Sequence, residues 1–139
     1  MDVITNHLAI VGVYAALNAI IMMTLGFMTG QLRRKYKVTI GDGGVPHMIR
    51  IMRGHANATE NVPIMMIMMV IAAGIGTPAG VLHGLGIVYT FGRAVHAWHF
   101  MQESAPFRTR LIGFTSSILA QTVLALGLLS HGVLLLFRA

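Results

Sequence analysis

The chain has 139 residues, of which 55% are hydrophobic and only 10% are charged. An ordinary soluble domain carries about a quarter charged residues, so this balance excludes a soluble fold and predicts an integral membrane protein. The formal net charge of +6 does not indicate nucleic-acid binding, because the basic residues gather at the ends of apolar stretches and not on a polar face with interleaved aromatic residues.

Four apolar stretches are long enough to cross a bilayer. They cover about residues 8–32, 50–75, 81–100 and 111–137. The first is too long for the core of a signal peptide, so we expect it to remain as a span. The connections between the stretches are short, which predicts an all-α, up-down bundle of four transmembrane helices that forms one domain over residues 1–139.

Lysine and arginine are concentrated on one side of these predicted spans. The first loop and the start of the second span hold Arg33, Arg34, Lys35, Lys37, Arg50 and Arg53, the third loop holds Arg108 and Arg110, and the opposite side holds only Arg138. Short basic loops are rarely translocated. We therefore expect both termini outside and the first and third loops in the cytoplasm, where the ends of the spans bring their polar residues together.

Two polar stripes interrupt the apolar spans. The stripe in the second span consists of Arg50, Arg53, Asn57 and Glu60, and the third span carries Tyr89, Arg93, His96 and Phe100 at spacings of four, three and four residues. At about 100° per residue, the members of each stripe share one face of a helix. A charge at the centre of a span costs about 2.5 to 3.5 kcal/mol, so these faces should not contact lipid.

Two interpretations of these stripes remain open. The first is a structural ion pair between Arg93 and Glu60 that joins the second and third spans. The second is an anionic ligand, since six arginines converge on this side against three carboxylates. The arginines are Arg33, Arg34, Arg53, Arg93, Arg108 and Arg110, and the carboxylates are Asp42, Glu60 and Glu103.

Metal and protein-thiol chemistry are not indicated. His96 and His99 are three residues apart, but no matching set of carboxylates or cysteines accompanies them, so we predict no metal site. The chain has no cysteine, which excludes a protein thiol nucleophile. Any thiol chemistry must use a thiol that the ligand brings.

Two blocks of the sequence carry a family resemblance that covers essentially the whole chain. The segment Arg53-Gly-His55-Ala-Asn57-Ala-Thr-Glu60-Asn-Val-Pro63 resembles the second-helix signature of the membrane-associated proteins in eicosanoid and glutathione metabolism, the MAPEG superfamily. Gly92-Arg93-Ala-Val-His96 and Ala105-Pro106-Phe107-Arg108-Thr109 look like the corresponding third and fourth helices of its microsomal prostaglandin E synthases and glutathione transferases. The turn at residues 41–44 is similar to a bacterial branch, which implies a bacterial inner membrane protein.

The resemblance implies a homotrimer that binds glutathione, as cosubstrate, between neighbouring subunits near the cytoplasmic side. The glutathione-binding residues that it implies are Arg33, Arg34, Arg53, His55, Asn57, Glu60, Arg93 and His96. In this picture Glu60 faces the ammonium group of the tripeptide. His96 and Phe100 stand where several relatives have tyrosines, so Phe100 supplies no hydroxyl group.

The resemblance also implies which residues are catalytic. Arg108 matches the arginine that stabilises the glutathione thiolate, and Thr109 matches a neighbouring hydroxyl residue. A thiol with a pKa of about 8.5 is mostly protonated at neutral pH, and a guanidinium beside it favours the nucleophilic anion. The spacing from Arg93 differs by one residue from that of the mammalian relatives, so Arg110 is an alternative for this role.

The implied activity is that of a glutathione transferase or peroxidase that acts on a lipophilic electrophile or hydroperoxide from the membrane. Conjugation, peroxide reduction and isomerisation share the thiolate, and the sequence does not distinguish them. Two other functions are alternatives. One is a lipid-binding or scaffold protein without catalysis, and the other is a proton-coupled small multidrug transporter that uses Glu60 as its proton site.

Overall fold

Four α-helices follow one another in the computed structural model, which describes residues 3–137. They are α1 (Val3–Tyr36), α2 (Pro46–Gly74), α3 (Ala79–Met101) and α4 (Phe107–Leu136). The predicted spans lie within these helices except for residues 75 and 137, which are the C-caps of α2 and α4. The prediction of an all-α, four-helix membrane fold is confirmed.

Prolines and left-handed residues determine where the helices begin and end. Pro46 is the first residue of α2, and Pro78 and Pro106 directly precede α3 and α4. Proline suits a helix start because its φ is already helical and the first helical N–H groups have no partner within the helix. After α2 the chain turns at Gly76, whose φ of 84° disfavours a residue with a side chain.

The helices differ in hydropathy and in the number of other helices they contact. By length and composition, α1, α2 and α4 are long and apolar enough to cross a membrane, whereas the shorter α3 does not reach the same hydropathy. Its polar residues are tolerated because α3 packs against all three other helices, while α1 and α4 make no close contact over residues 3–137. The positive-inside orientation stays a prediction, and Arg138, on which it partly rests, lies outside the described residues.

The backbones of α3 and α4 approach each other closely at two glycines. A Cβ atom at Gly92 would lie 2.8 Å from the backbone nitrogen of Ser117 and 2.9 Å from the carbonyl oxygen of Gly113. A Cβ atom at Gly113 would lie 2.6 Å from the backbone nitrogen of His96. The two backbones are therefore in direct contact, and neither glycine can gain a side chain unless the helices separate.

This contact predicts a position-specific effect of glycine substitution in α3. We expect Gly92→Ala to lower the stability of the protein by about 1–3 kcal/mol, because the new methyl group meets rigid backbone atoms. Gly84→Ala in the same helix is the matched control, since a Cβ atom there has nothing within 4 Å. The thermal unfolding midpoints of the detergent-purified variants test this expectation. Equal midpoints for the two variants would contradict the direct backbone contact.

Candidate functional site

A cavity of about 650 Å³ lies at the basic end of the bundle, the end at which α1 and α3 finish and α2 and α4 begin. Small-molecule sites in proteins have volumes of this order. Its lining residues come from α2 (Arg53, Ala56, Asn57 and Glu60), α3 (His96 and Phe100) and α4 (Phe107, Arg110, Leu111 and Phe114). The cavity thus forms where the sequence predicts that the ends of the second, third and fourth spans meet.

The two walls of the cavity have different chemistry. On α2, Arg53, Asn57 and Glu60 are spaced by four and three residues and present charged and amide groups. On α4, Phe107, Leu111 and Phe114 repeat the same spacing with apolar side chains. The cavity can therefore receive a polar group against α2 and a lipophilic group against α4.

Positive charge exceeds negative charge in the cavity. Arg53 and Arg110 bring two guanidinium groups, and Glu60 brings the one carboxylate among the lining residues. Over residues 3–137 Glu60 forms no ion pair, so the structural pair between Arg93 and Glu60 does not form. The lining therefore suits an anionic ligand that also carries a cationic group for Glu60.

Arg93 is buried directly behind the cavity and joins three helices. Its side chain is 3% exposed, and it donates hydrogen bonds from Nε to Ser117 Oγ at 2.8 Å and from Nη1 to Asn57 Oδ1 at 2.8 Å. The Ser117 hydroxyl donates in turn to the carbonyl oxygen of Gly113 at 2.7 Å. Because Arg93 occupies the amide oxygen of Asn57, the N–H groups of this cavity-lining amide remain for a ligand.

The two arginines at the start of α4 have different surroundings. Arg110 lines the cavity, with its Cζ atom 5.7 Å from the centroid of the Phe100 ring. Both side chains are exposed, but Arg108 does not line the cavity. Thr109 also lies outside the lining, and its hydroxyl donates to the carbonyl oxygen of Pro106 at 2.7 Å. Within one subunit, the geometry thus favours Arg110 over Arg108 as the cation nearest a ligand.

The three other predicted glutathione-binding residues do not line the cavity. Arg33 donates from Nη1 to the carbonyl oxygen of Gly41 at 2.9 Å, and Arg34 is exposed. His55 faces α1, with its Nε2 atom 3.7 Å from the place a Cβ atom would take at Gly26. A single subunit therefore brings together Arg53, Asn57, Glu60 and His96, with Arg93 behind them. The remaining predicted residues, Arg33, Arg34, His55, Arg108 and Thr109, lie away from this cavity.

Ser117 is a site residue that the sequence analysis missed. The buried residues of α4 are Gly113, Ser117, Ala120 and Leu124, spaced by four, three and four residues. Three of the four are small, in a helix whose other positions are mostly bulky and exposed. This stripe of small residues was the available signal, because it marks the face of α4 that packs closely on α3.

The structure offers no metal centre in the part of the chain it describes. Residues 3–137 contain no group of three or more histidine, aspartate or glutamate side chains that could hold a metal ion. The His99 ring is instead hydrogen-bonded to Arg50 and Thr109. This leaves His96 as the histidine that lines the cavity.

The fold and the cavity together define a polytopic helical membrane protein with a cation-rich, half-apolar site at one end of its bundle. The model of the MAPEG family matches residues 11–130, which include every predicted site residue, and the chain belongs to this family. It is 33% identical over 113 residues to the inner membrane protein YecN of Escherichia coli K12, an alignment that covers 81% of this chain and 85% of the relative. YecN of E. coli O6:H1 shows the same identity and coverage.

The bridge made by Arg93 predicts different effects at two adjacent serines. We expect Ser117→Ala to cost roughly 1–3 kcal/mol of stability, because a buried guanidinium loses a hydrogen-bond acceptor. Ser116→Ala, the same change one residue earlier, removes only an exposed hydroxyl that bonds to the carbonyl oxygen of Ile112, so its effect should stay within about 0.5 kcal/mol. Thermal unfolding of both variants measures the difference. A neutral Ser117→Ala would show that Arg93 does not depend on this bond.

Proposed function

We propose that this protein is a membrane-bound glutathione transferase, with glutathione peroxidase activity on lipophilic hydroperoxides. The observation that carries the proposal is the cavity of a MAPEG family member, in which a polar α2 wall faces an apolar α4 wall and Arg110 is one of the lining residues. Such a cavity suits a reaction between a polar tripeptide thiol and a lipophilic partner. A cavity for lipid alone would not need charged residues on α2.

The charges of the lining match those of glutathione. Glutathione has two carboxylates, one ammonium group and a thiol that becomes a third anion when it reacts. In the proposed complex Arg53 pairs with a carboxylate, Asn57 donates its free amide N–H groups, and Glu60 receives the ammonium group. One carboxylate then lacks a cation within the subunit.

A neighbouring subunit supplies the missing cation in this proposal. Arg33 and Arg34 lie at the same end of the bundle as the cavity, yet they do not line it in their own subunit. A homotrimer in which the end of α1 from one subunit approaches the cavity of the next brings one of them to the ligand. The exposed apolar surfaces of α1 and α4, which do not contact each other, are available for such packing.

The proposed chemistry requires the glutathione thiolate. In the proposed complex the Arg110 guanidinium, which lines the cavity, stabilises this anion, so the pKa of the bound thiol falls below about 8.5. In conjugation the sulfur forms a bond to the electrophilic carbon, whose leaving group departs or whose ring opens. In peroxide reduction two thiols become a disulfide while the hydroperoxide becomes an alcohol and water.

The second substrate enters from the membrane. Phe107 is 69% exposed and Phe114 is 46% exposed, so the apolar wall of the cavity is continuous with the outer surface of α4. A lipophilic molecule in the bilayer can reach this wall without crossing water. The positive-inside rule predicts that the basic end of the bundle is cytoplasmic, and this orientation would give the polar side of the cavity access to glutathione.

Calorimetric titration with glutathione and with an S-alkylated analogue tests binding directly. We expect saturable binding of both to the detergent-purified protein, and affinity for glutathione about tenfold lower in Glu60→Gln, because the ligand ammonium loses a charged partner. Glu103→Gln is the matched control, since Glu103 is an exposed carboxylate near the same end that does not line the cavity. If the folded wild-type protein binds neither compound, the lipid-binding alternative replaces the proposal.

The two arginines of α4 test the chemical step. Arg108 and Arg110 are two positions apart, which corresponds to about 200° around the helix axis. A given rotation of α4 therefore directs only one of the two side chains into the cavity. We expect Arg110→Ala to lower the rate of conjugation of a model electrophile at least about tenfold more than Arg108→Ala does. Steady-state rates at saturating glutathione provide the measurement. The reverse order would return the thiolate role to Arg108.

A further inference from the structure

A chain of hydrogen bonds runs across the basic end of the bundle from α2 through α3 to α4. Arg50 Nη2 lies 3.1 Å from His99 Nε2, and His99 Nδ1 lies 2.8 Å from Thr109 Oγ1. The Thr109 hydroxyl donates to the carbonyl oxygen of Pro106 at 2.7 Å. Because Thr109 uses its hydrogen on Pro106, His99 must donate from Nδ1 and accept at Nε2 from Arg50. The direction of every bond in the chain is thus determined.

Arg50 also holds the end of α3. Its Nη2 and Nε atoms donate to the backbone carbonyl oxygens of His99 and Gln102, at 2.9 Å and 3.1 Å. The last carbonyl groups of a helix have no partner within it, so these two bonds fasten the end of α3 to α2. His99 is 4% exposed, which places the centre of the chain away from solvent. The loop from α3 to α4 is therefore held at both of its ends.

Arg110 lies directly beside these residues. Thr109 precedes Arg110 in the first turn of α4, and Phe100 follows His99 in α3. Arg50 and Arg110 both lie near the Phe100 ring, with their Cζ atoms 5.8 Å and 5.7 Å from its centroid. A rotation of this turn would move Arg110 away from both Phe100 and the cavity.

We propose that Arg50, His99 and Thr109 form a positioning relay that sets the rotation of the first turn of α4 and so directs Arg110, and not Arg108, into the cavity. The consequence for thiolate stabilisation rests on the proposed glutathione chemistry. None of the three residues lines the cavity, so each acts through Arg110. Thr109, which the family resemblance implies to be catalytic, is in this proposal a positioning residue.

The geometric half of the proposal is testable without glutathione. The chain has no cysteine, so cysteine pairs can be introduced without background. Ala56 lines the cavity from α2 and is the common partner in two pairs, Ala56→Cys with Arg110→Cys and Ala56→Cys with Arg108→Cys. A short bis-maleimide should cross-link the first pair at least about fivefold faster within one subunit, because only position 110 faces the cavity.

Relay variants are then added to both cysteine pairs. Thr109→Val removes the hydroxyl, His99→Phe keeps a ring without hydrogen-bonding atoms, and Thr109→Ser retains the bond. We expect the two disruptive variants to reduce the cross-linking preference to within about twofold, and Thr109→Ser to preserve it. An unchanged preference in both disruptive variants overturns the relay. Because two different residues are altered, failure of one variant to fold does not end the test.

The effect of the relay on thiolate stabilisation is tested in proteins that retain all native arginines. Two quantities are measured for bound glutathione, the ultraviolet absorbance of its thiolate and its dissociation constant. Thr109→Val and His99→Phe should each lower the thiolate fraction while the affinity for glutathione changes less than about threefold. Thr109→Ser should keep the thiolate fraction of the native protein. A loss in Thr109→Val alone, with His99→Phe unaffected, overturns the relay in favour of direct contact between Thr109 and the thiolate. Loss of the cross-linking preference in a protein that does not bind glutathione supports the relay and rejects the proposed function.

Discussion

The buried guanidinium of Arg93 is the interaction on which the arrangement of the site depends. It lies on α3, the central helix, and reaches Asn57 on α2 and Ser117 on α4. Over residues 3–137 it has no carboxylate partner, so two neutral oxygen atoms and the ring of Tyr89 hold a full charge inside the bundle. Such an arrangement is costly unless its geometry is good, which explains why three helices meet so closely here.

Glycine makes that geometry possible. Ser117 can reach Arg93 only because α3 and α4 touch at Gly92 and Gly113, where neither helix has a side chain to separate them. Gly54 has a similar effect on α2, since a Cβ atom there would meet the side chain of Phe100. Close helix approach and a buried polar bridge therefore support each other. In a membrane, where apolar burial against lipid contributes little, such contacts supply much of the packing specificity.

The division of the cavity into two walls follows from the surroundings of each helix. Its α2 wall is polar because Arg53, Asn57 and Glu60 share one face of α2 and line the cavity together with residues of α3 and α4. Its α4 wall is apolar because α4 buries one narrow face, mainly against α3 and less against α2, and leaves most of its apolar surface on the outside of the subunit. A site between such helices joins an aqueous end of the bundle to the membrane interior. That position suits the proposed chemistry, in which a polar thiol meets a lipophilic partner.

The sequence by itself determined the membrane class, the four helices, the family and the α2 stripe. Hydrophobic length and the positions of proline and glycine are local properties, and the spacing of Arg53, Asn57 and Glu60 is readable because a helix repeats its face at a known angle. Only the tertiary structure decided which residues share the cavity. The rotation of α4 separates Arg110 from Arg108, and His55 turns towards α1. The partners of Arg93 are Asn57 and Ser117 and not Glu60. These outcomes depend on how one helix is rotated against another, which is set by contacts between residues distant in sequence, such as that of Gly92 with Gly113.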